Sequence, residues 1–287
     1  MDRLWEYTQN PDIHTEWDVR FTEITYLEKQ KNEPQRFLYK TKIGLGLEIA
    51  GTGESGGERI GEKGERVSTL KFSTDNPISL IRTGRGYWKY KQVGEKIDFL
   101  TQYDYDTRFG KLGELVDIIL FRPLLGWATA WSFDTLKLWL EKGYHPRQSM
   151  MKTASYWLVC LSLAIIWMYQ GLVPKLLFLH PQELKMTASL FGEESTALVV
   201  RGVGSLEIIF GVLWLLPFLK FKRKLLLFQS VLMLFLTFAA ILSDATSYYH
   251  PFNPITLNVA VIFLSVIGYL NSNQLPIARH CQRKRKD

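Results

Sequence analysis

Cysteine is scarce in this chain. Cys160 lies in an apolar run and Cys281 in a basic tail, and neither belongs to a paired-cysteine spacing. That argues against a disulfide framework and against zinc or iron–sulfur sites built on such pairs. The N-terminus, Met1-Asp2-Arg3-Leu4-Trp5, has no apolar stretch. No cleavable signal is therefore expected, and membrane insertion is expected to start from an internal segment. No serine sits in a G-x-S-x-G setting and no H-E-x-x-H occurs, so no catalytic residue and no metal ligand is assigned by motif. No basic stripe accompanies a recognition motif, so the pI near 9.2 is not read as a nucleic-acid partner.

Charge is present, but unevenly. Residues 1–150 hold 22 Lys+Arg and 22 Asp+Glu, whereas residues 151–287 hold 13 and 6, so the whole formal excess of +7 lies in the second half. That half has four apolar runs. Arg147 and Lys152 precede the first; Lys220, Lys222, Arg223 and Lys224 lie between the second and third; Arg279, Arg283, Lys284, Arg285 and Lys286 follow the fourth. The other two connections hold only Lys175 and Lys185, or no cation at all. Cytoplasmic loops collect Lys and Arg, so the alternation predicts four crossings of the cytoplasmic membrane with both termini cytoplasmic. The basic loops also suit anionic headgroups.

The predicted helices are 154–174, 197–219, 225–244 and 254–271, each near the ~20 residues that a hydrocarbon core requires. The second carries Arg201 and Glu207. A charge at a helix centre costs about 2.5–3.5 kcal/mol on insertion scales. Arg201 is near the helix start and can reach outward; Glu207 is near the middle. Gly204, Glu207 and Gly211 share one face, and small residues admit a neighbouring helix. Glu207 is therefore expected to face the bundle interior, protonated or paired with Arg201 or Lys175. It serves there either as a polar ligand or proton site or as a structural ion pair. Asn258 lies one turn into the fourth helix and completes the expected polar cluster Lys175, Arg201, Glu207 and Asn258. Asp244 reads as an interfacial helix end, and His250 as a loop histidine.

Trp167-Met168-Tyr169-Gln170-Gly171-Leu172-Val173-Pro174-Lys175 followed by His180-Pro181-Gln182-Glu183-Leu184 resembles the DoxX-like membrane proteins. So do Arg201, Gly204, Glu207 and Gly211, and Pro251-Phe252-Asn253-Pro254. The resemblance covers residues 153–272 and implies a four-helix membrane bundle. The founding member of that family is a subunit of a thiosulfate:quinone oxidoreductase, but most relatives have no assigned reaction. The resemblance implies no transferable catalytic residue.

The first half alternates with period 2, as strands do. Strands are expected at 21–28, 36–50, 66–73, 78–93 and 95–105, after a helix at 1–8. Leu112 to Glu141 reads as a helix interrupted at Pro123. Leu124, Trp127, Ala128 and Trp131 form a stripe suited to packing on the sheet; the uncharged run 123–133 suits the membrane surface as the alternative. Leu4-Trp5-Glu6-Tyr7, Asn10-Pro11, His14-Thr15-Glu16-Trp17-Asp18 and Leu124-Leu125-Gly126-Trp127 through Trp131 and Trp139 resemble the START-like, or SRPBCC, ligand-binding domains. That resemblance implies a curved sheet around a long helix with an apolar cavity. The family's first strand has no counterpart after Met1, so either one sheet edge is expected to be missing or the gene start to lie upstream.

Two further patterns carry less. Gly51-Thr52-Gly53-Glu54-Ser55-Gly56, with Asp75 beyond, matches G-x-G-x-x-G, but no helix is expected after it, so it reads as a mobile hairpin loop and not a nucleotide site. Asp98, Asp104, Asp106 and Asp117 read as solvated acids; Asp104 and Asp106 share a strand face. His14 beside Trp17 suits either a cavity mouth or turn packing.

The expected architecture is an α+β helix-grip (START-like) soluble domain, 1–143, a linker, 144–152, an all-α four-transmembrane-helix bundle, 153–272, and a basic tail, 273–287. The expected function is binding of a hydrophobic small molecule, a lipid or quinone, by the soluble domain, with Trp5, Trp17, Tyr87, Trp88, Tyr90 and Tyr103 as wall or core. The alternatives are an accessory subunit of a quinone-linked oxidoreductase and a non-enzymatic scaffold. No resident cofactor is evident. The expected partners are the lipid bilayer and the small molecule, with a second copy or a redox partner protein left open.

Overall fold

The structure, a computed structural model, describes all residues except 30, 32, 45, 62, 63, 218–220, 244–248, 250–252, 280 and 283–287. Asp244 and His250 therefore lie outside the described residues. The chain forms two units, Met1–Gln148 with Pro276–Asp287, and Ser149–Leu275.

The first unit opens with α1 (Asp2–Gln9) and α2 (Pro11–Trp17). Asn10 separates them: its side chain accepts from the amides of Asp12 and Ile13, and Pro11 fills the first turn, where a missing N–H is harmless. Six antiparallel strands follow in chain order: β1 (Glu23–Tyr26), β2 (Gln35–Gly44), β3 (Leu47–Ile60), β4 (Arg66–Ser73), β5 (Ile81–Val93) and β6 (Lys96–Thr107).

Two expectations change here. The predicted strand 36–50 is a hairpin, because Gly44 and Gly46 take φ of 92° and 77° and reverse the chain. The expected mobile loop at Gly51–Gly56 is instead the middle of β3: Gly51 to Ser55 pair with β2, Thr52 to Ser55 also with β4, and Gly56 lies at an irregularity in the β3–β4 register. Its glycines make room for rings. A Cβ on Gly53 would fall on the Phe37 ring and one on Gly51 on Tyr39, just as one on Gly84 in β5 would fall on Phe72. Glycine in a strand marks such close approach.

Side chains alternate across the strands. One face carries Trp88, Tyr90 and Phe99, which pack with Leu4, Trp17 and Leu136 into the core of this unit. The opposite face carries Arg85, Tyr87, Lys89 and Asp104. After β6 come α3 (Gly110–Val116), a π-helical segment (Asp117–Phe121) and α4 (Arg122–Lys142). Pro123 does not interrupt the helix, since it sits in the first turn of α4. The expected packing stripe is only partly buried: Leu124 and Trp127 are exposed. The buried face of α4 is Thr129–Ser132 with Asp134, Thr135 and Leu136.

The tail is not wholly a solvated arm. The Ile277 amide donates to Asp134 Oδ2 at 2.8 Å, Ala278 is buried, and Cys281 Sγ donates to the Ala130 carbonyl.

The second unit contains α5 (Pro146–Gly171), which enters from the first unit and continues as a π-helical segment (Leu172–Leu177). It also contains α6 (Pro181–Phe191), α7 (Glu193–Leu215), α8 (Lys222–Ser243) and α9 (Pro254–Asn271). Among the described residues the four apolar runs are helical, although α7 ends at Leu215, short of the expected 219, and α6 is an additional short helix. Among the described residues two helices, Pro146–Leu177 and Glu193–Leu215, are long and apolar enough to cross a membrane; Ile255–Asn271 is apolar but shorter.

The outward surfaces are apolar. Leu158, Ile165, Leu206, Val231, Phe235, Phe238 and Phe263 are exposed, while Gln229 and Ser265 are buried. Polar groups inside and hydrocarbon outside is the distribution a lipid solvent selects. Lys222, expected as a solvated loop charge, is buried. Its Nζ donates to the Trp214 carbonyl at 2.6 Å, closing the C-terminal end of α7, and lies 4.5 Å from the Trp157 ring centre.

Candidate functional site

Glycine brings α5 and α7 together. A Cβ on Gly204 would lie 2.8 Å from the Lys175 Cβ, and one on Gly211 would lie 3.0 Å from the Ala164 carbonyl. Such small-residue contacts let membrane helices approach closely. The π-helical segment then sets Lys175. Pro174 has no N–H to donate, and the Phe178 amide reaches back five residues to the Val173 carbonyl. The widened turn turns Lys175 inward, buried, with Nζ 3.1 Å from Glu207 Oε2 and 3.2 Å from Glu183 Oε1. It also donates to the Gln170 carbonyl at 3.4 Å.

Lys175 is thus the cation that Glu207 takes. Arg201, the other candidate, is exposed on α7 and forms no ion pair among the described residues. Six helical residues separate it from Glu207, which is 240° of rotation and places it off the Glu207 face. Glu183, from the start of α6, was not anticipated as a partner.

The contact at 3.1 Å is an ion contact without hydrogen-bond geometry. Glu207 Oε2 is buried and has no hydrogen-bond donor among the described residues. It borders a half-open pocket of about 670 Å³. Ile166, Trp167, Met233, Leu236, Leu257 and Val261 supply its apolar walls. Gln170, Lys175, Glu207, Asn253, Thr256 and Asn258 supply polar atoms. Asn258 Nδ2 donates to Thr237 Oγ1 at 3.0 Å, which joins α9 to α8 at its rim. Trp167 is fixed from behind: its Nε1 donates to Gln229 Oε1 at 2.9 Å, and Gln229 Nε2 donates to Ser265 Oγ at 2.6 Å. This chain, joining α5, α8 and α9, was missed because Gln229, beside Ser230, and Ser265 are uncharged residues in otherwise apolar runs. An apolar chamber with a few convergent polar groups is how small-molecule sites are built.

In the first unit the six aromatic candidates separate. Trp17 and Tyr90 are fully buried and Trp88 nearly so; Trp5 packs on Tyr90 with centroids 5.1 Å apart. These four belong to a packed core. Tyr103 shares their sheet face and meets the Thr129 hydroxyl at 3.2 Å. Tyr87 is on the opposite face and donates to Gln102 Oε1.

Beside that core is a buried polar cluster. Asp18 accepts from Arg20 Nε at 2.8 Å and Arg20 Nη2 at 2.6 Å, meets His14 Nε2 at 3.0 Å, and accepts from Ser132 Oγ at 3.3 Å. Burial alone would raise the Asp18 carboxyl, but the Arg20 guanidinium and His14 hold it well below the usual carboxylate range. His14 stacks on Trp17 at 4.9 Å, so it serves turn packing.

A groove of about 890 Å³ also occurs on this unit. By strand alternation Arg36, Glu54, Lys71, Arg85, Asp104 and Asp106 stand on the face opposite Trp88, so the groove is charged and not the expected apolar chamber. Asp104 and Asp106 are exposed there, as is Asp98 on the same strand. Asp117 is buried elsewhere, under Tyr105 and Arg122. Among the described residues no three metal-ligand side chains converge.

The DoxX-like family model matches residues 164–266, which contain the cavity walls and the Lys175–Glu207 pair. Over its full length the chain is 44% identical to the "Uncharacterized membrane protein YndG" of Bacillus subtilis (strain 168), covering 100% of this chain and 94% of that protein. No solved structure matches. The chain is a membrane protein with a DoxX-like domain, and it belongs to the same family as that Bacillus subtilis protein.

Proposed function

We propose that this membrane protein holds a small amphipathic molecule of the lipid or quinone class inside its helical bundle. The observation that carries the reading is the half-open 670 Å³ pocket, with its apolar walls and a buried Glu207 oxygen still able to accept a hydrogen bond. The apolar body of the ligand lies along Trp167, Met233 and Leu236. Its polar head meets Glu207, Lys175 and Asn258. The role is binding, and any redox chemistry comes from a partner protein, with this chain as an accessory subunit of a quinone-linked oxidoreductase.

In this reading all four of α5, α7, α8 and α9 cross the bilayer, with both termini cytoplasmic. The alternating loop charge supports it. So does the grouping of Pro276–Asp287 with Met1–Gln148, because an even number of crossings returns the chain to its starting side. The sheet unit is read as START-like. Its antiparallel order and the long α4 support that fold. Its aromatic face is packed around Trp17 and Tyr90, so we place the ligand in the bundle and not against the sheet.

Mass spectrometry of protein extracted without stripping lipid tests the proposal. The expected result is one apolar molecule per chain, lost in Asn258→Leu and weakened in Glu207→Gln. A wild-type protein that carries none and fails to bind a short-chain quinone overturns it.

A further inference from the structure

The first unit exposes a second apolar feature that the bundle cavity does not use. From Phe109 to Trp127, along α3, the π-helical segment and the start of α4, large apolar side chains point outward. Leu112 and Ile119 are each 67% exposed, and Leu115, Ile118, Leu120 and Leu124 are each more than half exposed. A soluble surface rarely leaves so many large aliphatic residues contiguous.

One of the two acids of the segment is kept off this face. Asp117, in the middle of the segment, is 1% exposed and turned inward, accepting from Tyr105 Oη at 2.5 Å and from Arg122 Nε at 2.9 Å. Glu114 is exposed, about 160° around α3 from Leu112 and Val116 but one turn before Ile118. Cations mark the two ends: Lys111 is exposed, and the Arg122 side chain keeps 66% of its surface. An apolar helical face flanked by Lys and Arg is the pattern of a segment lying in the headgroup–acyl boundary.

We infer that residues 109–127 dock into the surface of a bilayer containing anionic lipid. The occupant is argued from two facts besides exposure. Lys111 and the exposed part of the Arg122 side chain offer donors to anionic headgroups at the two ends of the face. The chain is also tethered to a bilayer, because only residues 143–145 separate α4 from α5, one of the two helices of spanning length. The buried Asp117 then has a purpose: its ion pair with Arg122 keeps a carboxylate out of the lipid-facing surface.

The test uses the full chain in vesicles of mixed phosphatidylglycerol and phosphatidylcholine that carry a phospholipid with a diazirine near the glycerol end of its acyl chain. Adducts are mapped by mass spectrometry after illumination. The expected result is adducts within residues 109–127 as well as on the spanning helices. Their yield should fall in pure phosphatidylcholine and vanish in the double variant Ile119→Asp with Leu120→Asp, while the spanning-helix adducts remain. Adducts confined to the spanning helices overturn the proposal. In a parallel sample treated with a bifunctional amine cross-linker, links joining Lys111 of two copies also overturn it, since the face would then be covered by a second chain.

Discussion

Lys175 Nζ stands 3.1 Å from Glu207 Oε2, one on a π-helical turn and the other on the helix packed against it by glycine. The pair lies among apolar side chains, where an unmatched charge is costly. Removing one partner of a buried pair typically costs about 3–5 kcal/mol, because the other is left uncompensated. Lys175→Met should therefore lower thermal stability in detergent by that order. Lys175→Met with Glu207→Gln should recover part of the loss, and Arg201→Ala should change little. If Arg201→Ala matches Lys175→Met in cost, the pairing is misassigned.

The helix approach at Gly204 gives a second prediction. Gly204→Val forces a side chain into the Lys175 Cβ, and overpacking costs about 1–3 kcal/mol. Gly202, two residues earlier, has no atom within 4 Å of an added Cβ. Thermal unfolding should separate the two: Gly204→Val destabilised, Gly202→Ala indistinguishable from wild type.

Gln229 links three helices by accepting from Trp167 and donating to Ser265. Interhelical hydrogen bonds in membranes contribute about 0.6–2 kcal/mol. Gln229→Leu should lose about that much stability. It should also release the Trp167 ring, read as weaker retention of a bound quinone.

In the sheet unit, Asp18 is the group that confers pH dependence. It binds its proton more weakly when folded, beside Arg20, than when unfolded. Below about pH 4, the unfolded aspartate value, the unfolded chain takes up more protons than the folded one. The stabilisation is full above that pH and is lost as pH falls toward the lower folded value. Hydrogen exchange in β4 and β5 should report this acid sensitivity, and Asp18→Asn should flatten it while costing about 3–5 kcal/mol at neutral pH. A pH profile unchanged by Asp18→Asn contradicts the assignment.

The helices of the second unit were legible in the sequence as apolar runs, although among the described residues two of them are long and apolar enough to cross a membrane. The glycine face of α7 was legible too: Gly204 and Gly211 repeat at helical spacing. The partner of Glu207 was narrowed to Arg201 or Lys175 but not decided, since the π-helical widening after Gly171 turns Lys175 inward and no periodicity announces it. In the sheet unit, alternation found most strands. It lost β3 because Gly51, Gly53 and Gly56 look like a loop until Phe37 and Tyr39 are seen to need the space. The stripe on α4 misled for a related reason: Ser132 and Asp134 face inward to the polar cluster and tail, and Leu124 and Trp127 face out.

A cryo-electron microscopy structure in lipid nanodiscs tests the central claim most directly. The account predicts α5, α7, α8 and α9 within the disc, and elongated non-protein density between Trp167, Glu207 and Asn258. Two of those helices lying outside the bilayer, or a chamber closed by its own side chains, would contradict it.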